Sequence, residues 1–173
     1  MRAPVIEEGP YTLRLPRTED VSWVFHACQD EAIQRFTEVP TPYLPSDAVD
    51  WVHRAAEWCR MGSQLHFVVA RTETGELLGA ASLKLDGADG RGELGYWVER
   101  YVRREGVARS AIQALEFHAR DVLQLSEIVL RIAEGNAASS ALALSCGYRL
   151  TGQHAEPCKG EVALSYTKSL ASD

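Results

Sequence analysis

Arg103-Arg104-Glu105-Gly106-Val107-Ala108 lies between two segments of opposite character. Residues 93–98 before it are aromatic and typical of a β-strand, whereas apolar residues after it recur on one helix face, at Ala108, Ala111, Ile112, Leu115, Ala119 and Val122. The first N–H groups of a helix have no partner within it, and the helix dipole adds positive charge there. Because Gly106 has no Cβ and two arginines precede it, the stretch predicts a site for a phosphate or pyrophosphate.

Two common phosphate-binding motifs are absent from this turn. A dinucleotide fingerprint needs three spaced glycines, and a nucleotide P-loop ends in Gly-Lys-Ser or Gly-Lys-Thr. The pattern Arg103-x-x-Gly106-x-Ala108 instead resembles the acetyl-CoA motif of the GNAT acetyltransferase superfamily. The structural alternative for these six residues is an arginine-rich turn closed by a glycine.

A second segment resembles the other GNAT signature, N-x-x-S followed by an apolar helix and Gly-Tyr. Here it consists of Asn136, Ser139, Gly147 and Tyr148, and a predicted strand at 128–133 separates it from the phosphate turn, as in the family. The same residues also predict a well-capped helix, with Asn136 as N-cap and Gly147 just beyond the C-terminus. Both interpretations hold together, since a cap can also contact a cofactor.

The N-terminal part resembles one branch of that superfamily. Tyr11-Thr12-Leu13-Arg14-Leu15 followed by Glu19-Asp20 is similar to the opening of the RimJ/RimL-type ribosomal-protein N-terminal acetyltransferases. The resemblance runs over residues 11–168. It implies acetyl-CoA as cosubstrate and a primary amine as acceptor, either a protein N-terminus or a small amine.

Composition and charge exclude several function classes. The chain has 173 residues, a net charge of −6 and 46% hydrophobic residues, so we expect one domain over residues 1–173 and no sequence-independent nucleic-acid binding. No apolar run approaches a membrane span, and the acidic N-terminus does not resemble a secretory signal, so a cytoplasmic monomer or homodimer is expected. The four cysteines and five histidines lack metal-site spacing, which predicts no metal.

The order of predicted elements indicates an α/β protein. Thr18 is predicted to cap the first helix and Ser46 a later one that ends at Gly62, while three prolines exclude a regular helix over 36–45. Strands are expected at 11–15, 65–71, 77–85, 93–98, 128–133, 148–152 and 162–168, with a glycine-rich turn at 87–92. The resemblance implies a GNAT-like three-layer fold with a mixed, mostly antiparallel sheet that splays at the acetyl-CoA site.

The predicted chemistry needs a base, because an amine attacks a thioester only without its extra proton. Glu93, at the start of the strand before the phosphate turn, aligns with the base of several GNAT enzymes, and its alternative is a strand-end glutamate without a catalytic role. Glu161 is a second candidate, and water a third. Many relatives carry a leaving-group tyrosine where this chain has Ala143, so the acid is unassigned, with Ser139 the nearest hydroxyl.

The resemblance also implies the binding residues. Those expected to hold the coenzyme are Tyr96, Trp97, Val98, Arg103, Arg104, Glu105, Gly106, Val107, Ala108, Arg109, Asn136 and Ser139. Those expected to line the acceptor pocket are Phe36, Tyr43 and Trp97, with core packing as the alternative for Tyr43. Glu105 is unusual for such a turn, and together with Ala143 it leaves a rival open: a catalytically weak acyl-CoA-binding module with a sensing or assembly role.

Overall fold

Eight strands form one sheet in the structure, a computed structural model that describes residues 4–86 and 90–171. The strands are β1 (Ile6–Glu8), β2 (Tyr11–Arg14), β3 (Gln64–Arg71), β4 (Leu77–Asp86), β5 (Arg91–Val98), β6 (Glu127–Ala133), β7 (Arg149–Gln153) and β8 (Ala163–Ser169). They lie in the order β1-β2-β3-β4-β5-β6-β8-β7, and every neighbouring pair is antiparallel except β5 with β6. The predicted mixed, mostly antiparallel sheet is confirmed.

Within the described residues, five α-helices cover the two faces of this sheet: α1 (Val21–Ala27), α2 (Glu31–Phe36), α3 (Pro45–Met61), α4 (Val107–Asp121) and α5 (Ala137–Ser145). Tyr96 of β5 packs against the core cluster that contains the buried face of α4. Its neighbour Trp97 packs against the cluster formed by α1, α2 and α3. Because successive strand residues point to opposite faces, the helices form two layers with the sheet between them.

The sheet splays between β5 and β6. These parallel strands are in register only at Arg91 with Glu127, Gly92 with Ile128 and Glu93 with Val129. Beyond Glu93, β5 continues to Val98 while β6 continues to Ala133, and no further pairs join them. The predicted gap is therefore present and begins immediately after Glu93.

Both predicted helix caps at the N-terminal side are wrong. Residues Thr18–Asp20 form a 3-10 turn before α1, and the Asp20 carboxylate accepts the Arg17 N–H at 2.7 Å. Pro45 opens α3, where its missing N–H costs nothing, and Asp47 accepts the N–H of Leu44 at 2.7 Å. In each case the N-cap residue carries no capping oxygen, and a carboxylate three residues later accepts its N–H.

Other boundaries agree with the sequence to within a few residues. Gly62 ends α3 in the left-handed conformation at φ 69°, and Gly75 at φ 74° lies in the turn between β3 and β4. Val122 is 60% exposed instead of buried on α4, since that helix ends at Asp121. β1 was not predicted, and residues 87–89 of the predicted glycine-rich turn lie outside the described part of the chain. None of the helices within residues 4–86 and 90–171 combines the length and apolarity needed to cross a membrane.

Candidate functional site

The turn before α4 has the geometry of an anion cradle. Arg104 and Gly106 both adopt left-handed conformations, at φ 73° and 85°, and Gly106 is the N-cap of α4. The helix's first backbone bond runs from the Ser110 N–H to the Gly106 carbonyl at 3.0 Å, which leaves the N–H groups of 106–109 outside its ladder. A Cβ built on Gly106 would meet no atom within 4 Å, so the space in front of these donors is open.

Two of the predicted phosphate-binding arginines are held by protein groups. Arg103 Nη2 donates to Asp30 Oδ1 at 2.8 Å and to the Val98 carbonyl at 3.4 Å. Burial raises the pKa of Asp30, but the hydrogen bonds from Arg103 and from the Ile33 N–H outweigh it and hold that pKa below its ordinary value. Arg103 therefore ties the turn to the start of α2. Arg109 donates to the Ser145 hydroxyl at 2.8 Å, which ties α4 to the end of α5.

Glu105 points toward the ends of β2 and β3. Its Oε2 lies 3.8 Å from Arg71 Nη2, and its carbonyl accepts the Tyr11 hydroxyl at 3.4 Å. Arg71 therefore offsets the acidic charge that the sequence places in this turn. Arg104 is exposed.

Two hydroxyls, one on β5 and one on α5, meet across the gap. Tyr96 Oη on β5 lies 2.7 Å from Ser139 Oγ in the first turn of α5. Asn136 caps α5, because its Oδ1 accepts the Ser139 N–H at 3.2 Å, as the sequence predicts. Burial raises the pKa of Tyr96 to about 12, although its hydrogen bond with Ser139 acts in the opposite direction. Ala143 is fully buried on the same helix.

The partnership of Tyr96 with Ser139 was missed from the sequence, which marked both residues only separately. Strand alternation places Tyr96 on the same face as Leu94 and Val98, but nothing local indicates its partner. The two hydroxyls are separated by 43 positions, so only the packing of α5 beside β5 brings them together.

Glu93 lies at the mouth of the gap on the opposite face of the sheet. Its carboxylate is 3.7 Å from Arg131 Nε and 3.9 Å from His154 Nε2. The Arg131 side chain is only 9% exposed and also forms ion pairs with Glu38 and with Glu156. These five residues, here named the Arg131 cluster, place three carboxylates around one guanidinium. Sequence reasoning found only Glu93 among them.

The loop between β7 and β8 lies over α2 and the segment after it. Lys159 Nζ donates to the carbonyls of Gln34 and Val39 and, at 2.9 Å, to the Thr41 hydroxyl. Glu161, the second candidate base, accepts Arg35 Nε at 2.9 Å.

The predicted acceptor residues fall into different surroundings. Phe36 packs against a small cluster of Ala133, Cys158 and Ala163, beneath the loop that carries Glu161. Trp97 stacks on Trp23 with ring centroids 5.4 Å apart. Tyr43 is 5% exposed within the core of α1, α2 and α3, and this burial favours a packing role.

Metal ligation has no geometric support in the described residues. Within residues 4–86 and 90–171, no three His, Cys, Asp or Glu side chains are grouped as a metal ion requires. All four cysteines are free thiols, and Cys28, Cys59 and Cys158 are buried.

Comparisons with known proteins agree with this geometry. A sequence model of the acetyltransferase (GNAT) domain matches residues 11–149. A curated relative, the uncharacterized N-acetyltransferase p20 of Bacillus licheniformis, is 26% identical over 163 residues, which cover 92% of this chain and 91% of that protein.

Two solved structures share the fold. RimL, a ribosomal L7/L12 alpha-N-protein acetyltransferase in complex with coenzyme A, superposes with a TM-score of 0.87 at 18% identity, covering 98% of this chain and 100% of that one. A spermidine N-acetyltransferase SpeG chimera from Vibrio cholerae and hSSAT superposes with a TM-score of 0.77 at 17% identity. The superposition covers 94% of this chain and 96% of the chimera.

Proposed function

The chain belongs to the GNAT acetyltransferase family, and we propose that it transfers acetyl from acetyl-CoA to a primary amine by direct attack in a ternary complex. One observation carries the proposal. The gap between β5 and β6 begins at a carboxylate, Glu93, and the strand that borders it leads to the anion cradle at Gly106. A ligand with a phosphate end and a reactive end fits this arrangement.

The residues around the gap suit coenzyme A. The N–H groups of 106–109 would receive the pyrophosphate, since the space in front of Gly106 is open. The edge of β5 beyond Glu93 has backbone groups that β6 does not pair, and they would meet the amides of the pantetheine arm. Asn136 uses its oxygen for Ser139, which leaves its NH₂ group to donate.

Glu93 is the proposed base. It would take the amine proton as the new C–N bond forms, a contribution of about 10²–10⁴-fold in rate for a well-placed base. Arg131 and His154 hold its carboxylate at the mouth of the gap. Glu161 remains the second candidate, although its carboxylate already accepts a hydrogen bond from Arg35.

The acceptor is a protein N-terminus or a small amine. RimL is named for acting on a ribosomal protein and SpeG for acting on spermidine, so structural neighbours represent both classes. Three carboxylates of the Arg131 cluster surround a single guanidinium and would attract a protonated amine toward the gap.

The second candidate function is an acyl-CoA-binding module of low catalytic power. Two observations favour it: Glu93 already faces two basic side chains, and Ala143 offers no hydroxyl where many relatives carry a tyrosine. A protein of this kind would bind acetyl-CoA without transferring its acetyl group.

An acceptor screen separates the two functions. Purified protein is incubated with acetyl-CoA and a panel of peptides with free N-termini, matched N-acetylated peptides, and polyamines, and free thiol is detected. The proposal expects thiol release with at least one primary amine and none with its acetylated counterpart. Coenzyme binding by calorimetry without release on any amine supports the module, and absence of binding contradicts both functions.

A further inference from the structure

The Tyr96–Ser139 hydroxyl pair lies at the gap, beyond the last paired residues of β5 and β6. Tyr96 lies three residues beyond Glu93, where β5 has already separated from β6. Ser139 is held from two sides, since its N–H is bound by the cap residue Asn136 and its hydroxyl lies 2.7 Å from the phenol. Both groups are therefore oriented before any ligand binds.

The direction of this hydrogen bond follows from acidity. Geometry allows either oxygen to be the donor. A phenol is a stronger acid than an aliphatic alcohol, so the favoured arrangement has Tyr96 donating and Ser139 accepting. A serine hydroxyl has one proton and two acceptor positions, so it keeps its own proton for a further partner.

We propose that Tyr96 is a positioning residue, which holds the Ser139 hydroxyl so that the serine proton points at the sulfur leaving coenzyme A. This inference rests on the proposed acetyl transfer. The C–N bond forms and the C–S bond breaks, the bonding electron pair stays on sulfur, and the amine proton passes to Glu93. Ser139 donates a hydrogen bond to the thiolate but keeps its proton, and the thiolate takes a proton from water once it leaves.

Proton affinity argues against the phenol as the acid that protonates sulfur. Burial raises the pKa of Tyr96 to about 12, whereas an ordinary thiol has a pKa of about 8.5. The phenol therefore holds its proton more tightly than a thiolate would and remains a neutral donor at physiological pH. Its contribution is to orient Ser139.

Four variants test the inference: Tyr96→Phe, Ser139→Ala, the double variant, and Tyr166→Phe. The last removes the phenol hydroxyl of Tyr166, a largely buried residue on β8, which lies on the far side of β6 from the gap, as a control. Turnover is measured by thiol release with an amine that the wild-type protein accepts, coenzyme affinity by calorimetry, and folding by melting curves. Tyr96→Phe should lower kcat on the order of tenfold, as expected for a weakened transition-state hydrogen bond, while its coenzyme affinity stays unchanged. The control variant Tyr166→Phe should keep the wild-type kcat.

The double variant separates positioning from packing. If Tyr96 acts only through Ser139, Tyr96→Phe should cost nothing further in the Ser139→Ala background. A wild-type kcat in Tyr96→Phe overturns the inference, and so does an equal loss in both backgrounds. If the wild-type protein itself releases no thiol with any amine, the proposed function fails and this inference fails with it.

Discussion

The two sides of the sheet gap are built in different ways. The proposed cofactor side consists of two short segments, the turn at Gly106 and the helix start at Asn136. The proposed acceptor side is assembled from side chains far apart in sequence, such as Glu38, Arg131 and Glu156. Backbone donors arise wherever a helix starts, so a short motif encodes them, whereas a side-chain cluster exists only once the chain has folded.

The difference extends to electrostatics. On the cofactor side Arg103 and Arg109 bind protein groups, so the cradle depends mainly on unpaired N–H groups. On the acceptor side a nearly buried guanidinium is matched by three carboxylates. Removing the nearly buried Arg131 would leave the three carboxylates without their shared partner. We therefore expect a substitution on the proposed cofactor side to change only the contacts of the substituted residue. A substitution on the proposed acceptor side should also disturb the charged side chains that share Arg131.

The largest expected effect is on the acceptor side. Glu93→Gln should lower kcat about 10²-fold at neutral pH, because it removes the proposed base, while coenzyme affinity remains. Turnover should recover partly at high pH, where more of the amine is already deprotonated. Steady-state kinetics across pH measure both effects.

Two further carboxylate variants control this test. Glu127→Gln alters a β6 carboxylate that pairs with Arg91, at the closed end of the β5–β6 contact, and should leave kcat unchanged. Glu161→Gln tests the second candidate base. Wild-type kinetics in Glu93→Gln together with a loss in Glu161→Gln would transfer the role to Glu161.

The next effect concerns acid stability of the helix layer on the acceptor side. His66 Nδ1 accepts Trp51 Nε1 at 3.2 Å, which requires a neutral ring, and burial lowers the pKa of His66 to about 4. The unfolded chain, with a histidine pKa of about 6.5, therefore binds more protons than the folded one between these values. The neutral His66 ring therefore contributes its full stabilisation above a pH of about 6.5. The free energy of unfolding should fall by roughly 2 kcal/mol as the pH drops toward 4.

Urea unfolding at several pH values checks the assignment. His66→Gln should flatten the dependence of unfolding free energy on pH in this window. His53→Gln, an exposed position on α3, should keep the wild-type slope. An unchanged slope in His66→Gln would show that other groups cause the acid sensitivity.

A smaller effect is expected at the cofactor turn. Gly106→Ala should cost about 1 kcal/mol in backbone strain at φ 85°. Its new Cβ enters the open space where a phosphate is expected, so coenzyme affinity should fall roughly tenfold. Gly62→Ala is matched for strain, with φ 69° and no atom within 4 Å of the added Cβ, and should leave affinity unchanged. Calorimetry with acetyl-CoA that finds equal affinities would contradict the cradle.

The smallest effect separates the two roles of Asn136. Asn136→Ala should lower the free energy of unfolding by about 1 kcal/mol, because α5 loses its cap, and should also weaken coenzyme binding. Asn136→Asp keeps the capping oxygen but loses the NH₂ donor. It should restore stability without restoring affinity, as melting curves and calorimetry can show. Full affinity in the aspartate variant would leave Asn136 as a cap alone.

The sequence predicted the strands that border the gap, the helix start at Gly106 and the cap at Asn136. These features depend on local rules, namely strand alternation, unpaired N–H groups and side-chain caps. The predicted caps at Thr18 and Ser46 were wrong, because the turns begin earlier, at Arg17 and Leu44, whose N–H groups are accepted by Asp20 and Asp47. Tyr43 also required the folded structure, because an aromatic residue in a proline-rich segment can line a pocket or pack in a core, and the sequence does not distinguish the two.

By itself the sequence determined the family, through two short motifs, and that resemblance implied the splayed sheet; the helix start at Gly106 and the cap at Asn136 follow from residues within a turn of one another. Only the tertiary structure decided that Tyr96 meets Ser139, that Asp30 binds Arg103, and that three carboxylates surround Arg131. Those partners lie 25 to 93 positions apart. Their meeting depends on how helices and loops pack on the sheet, and no local pattern carries that information.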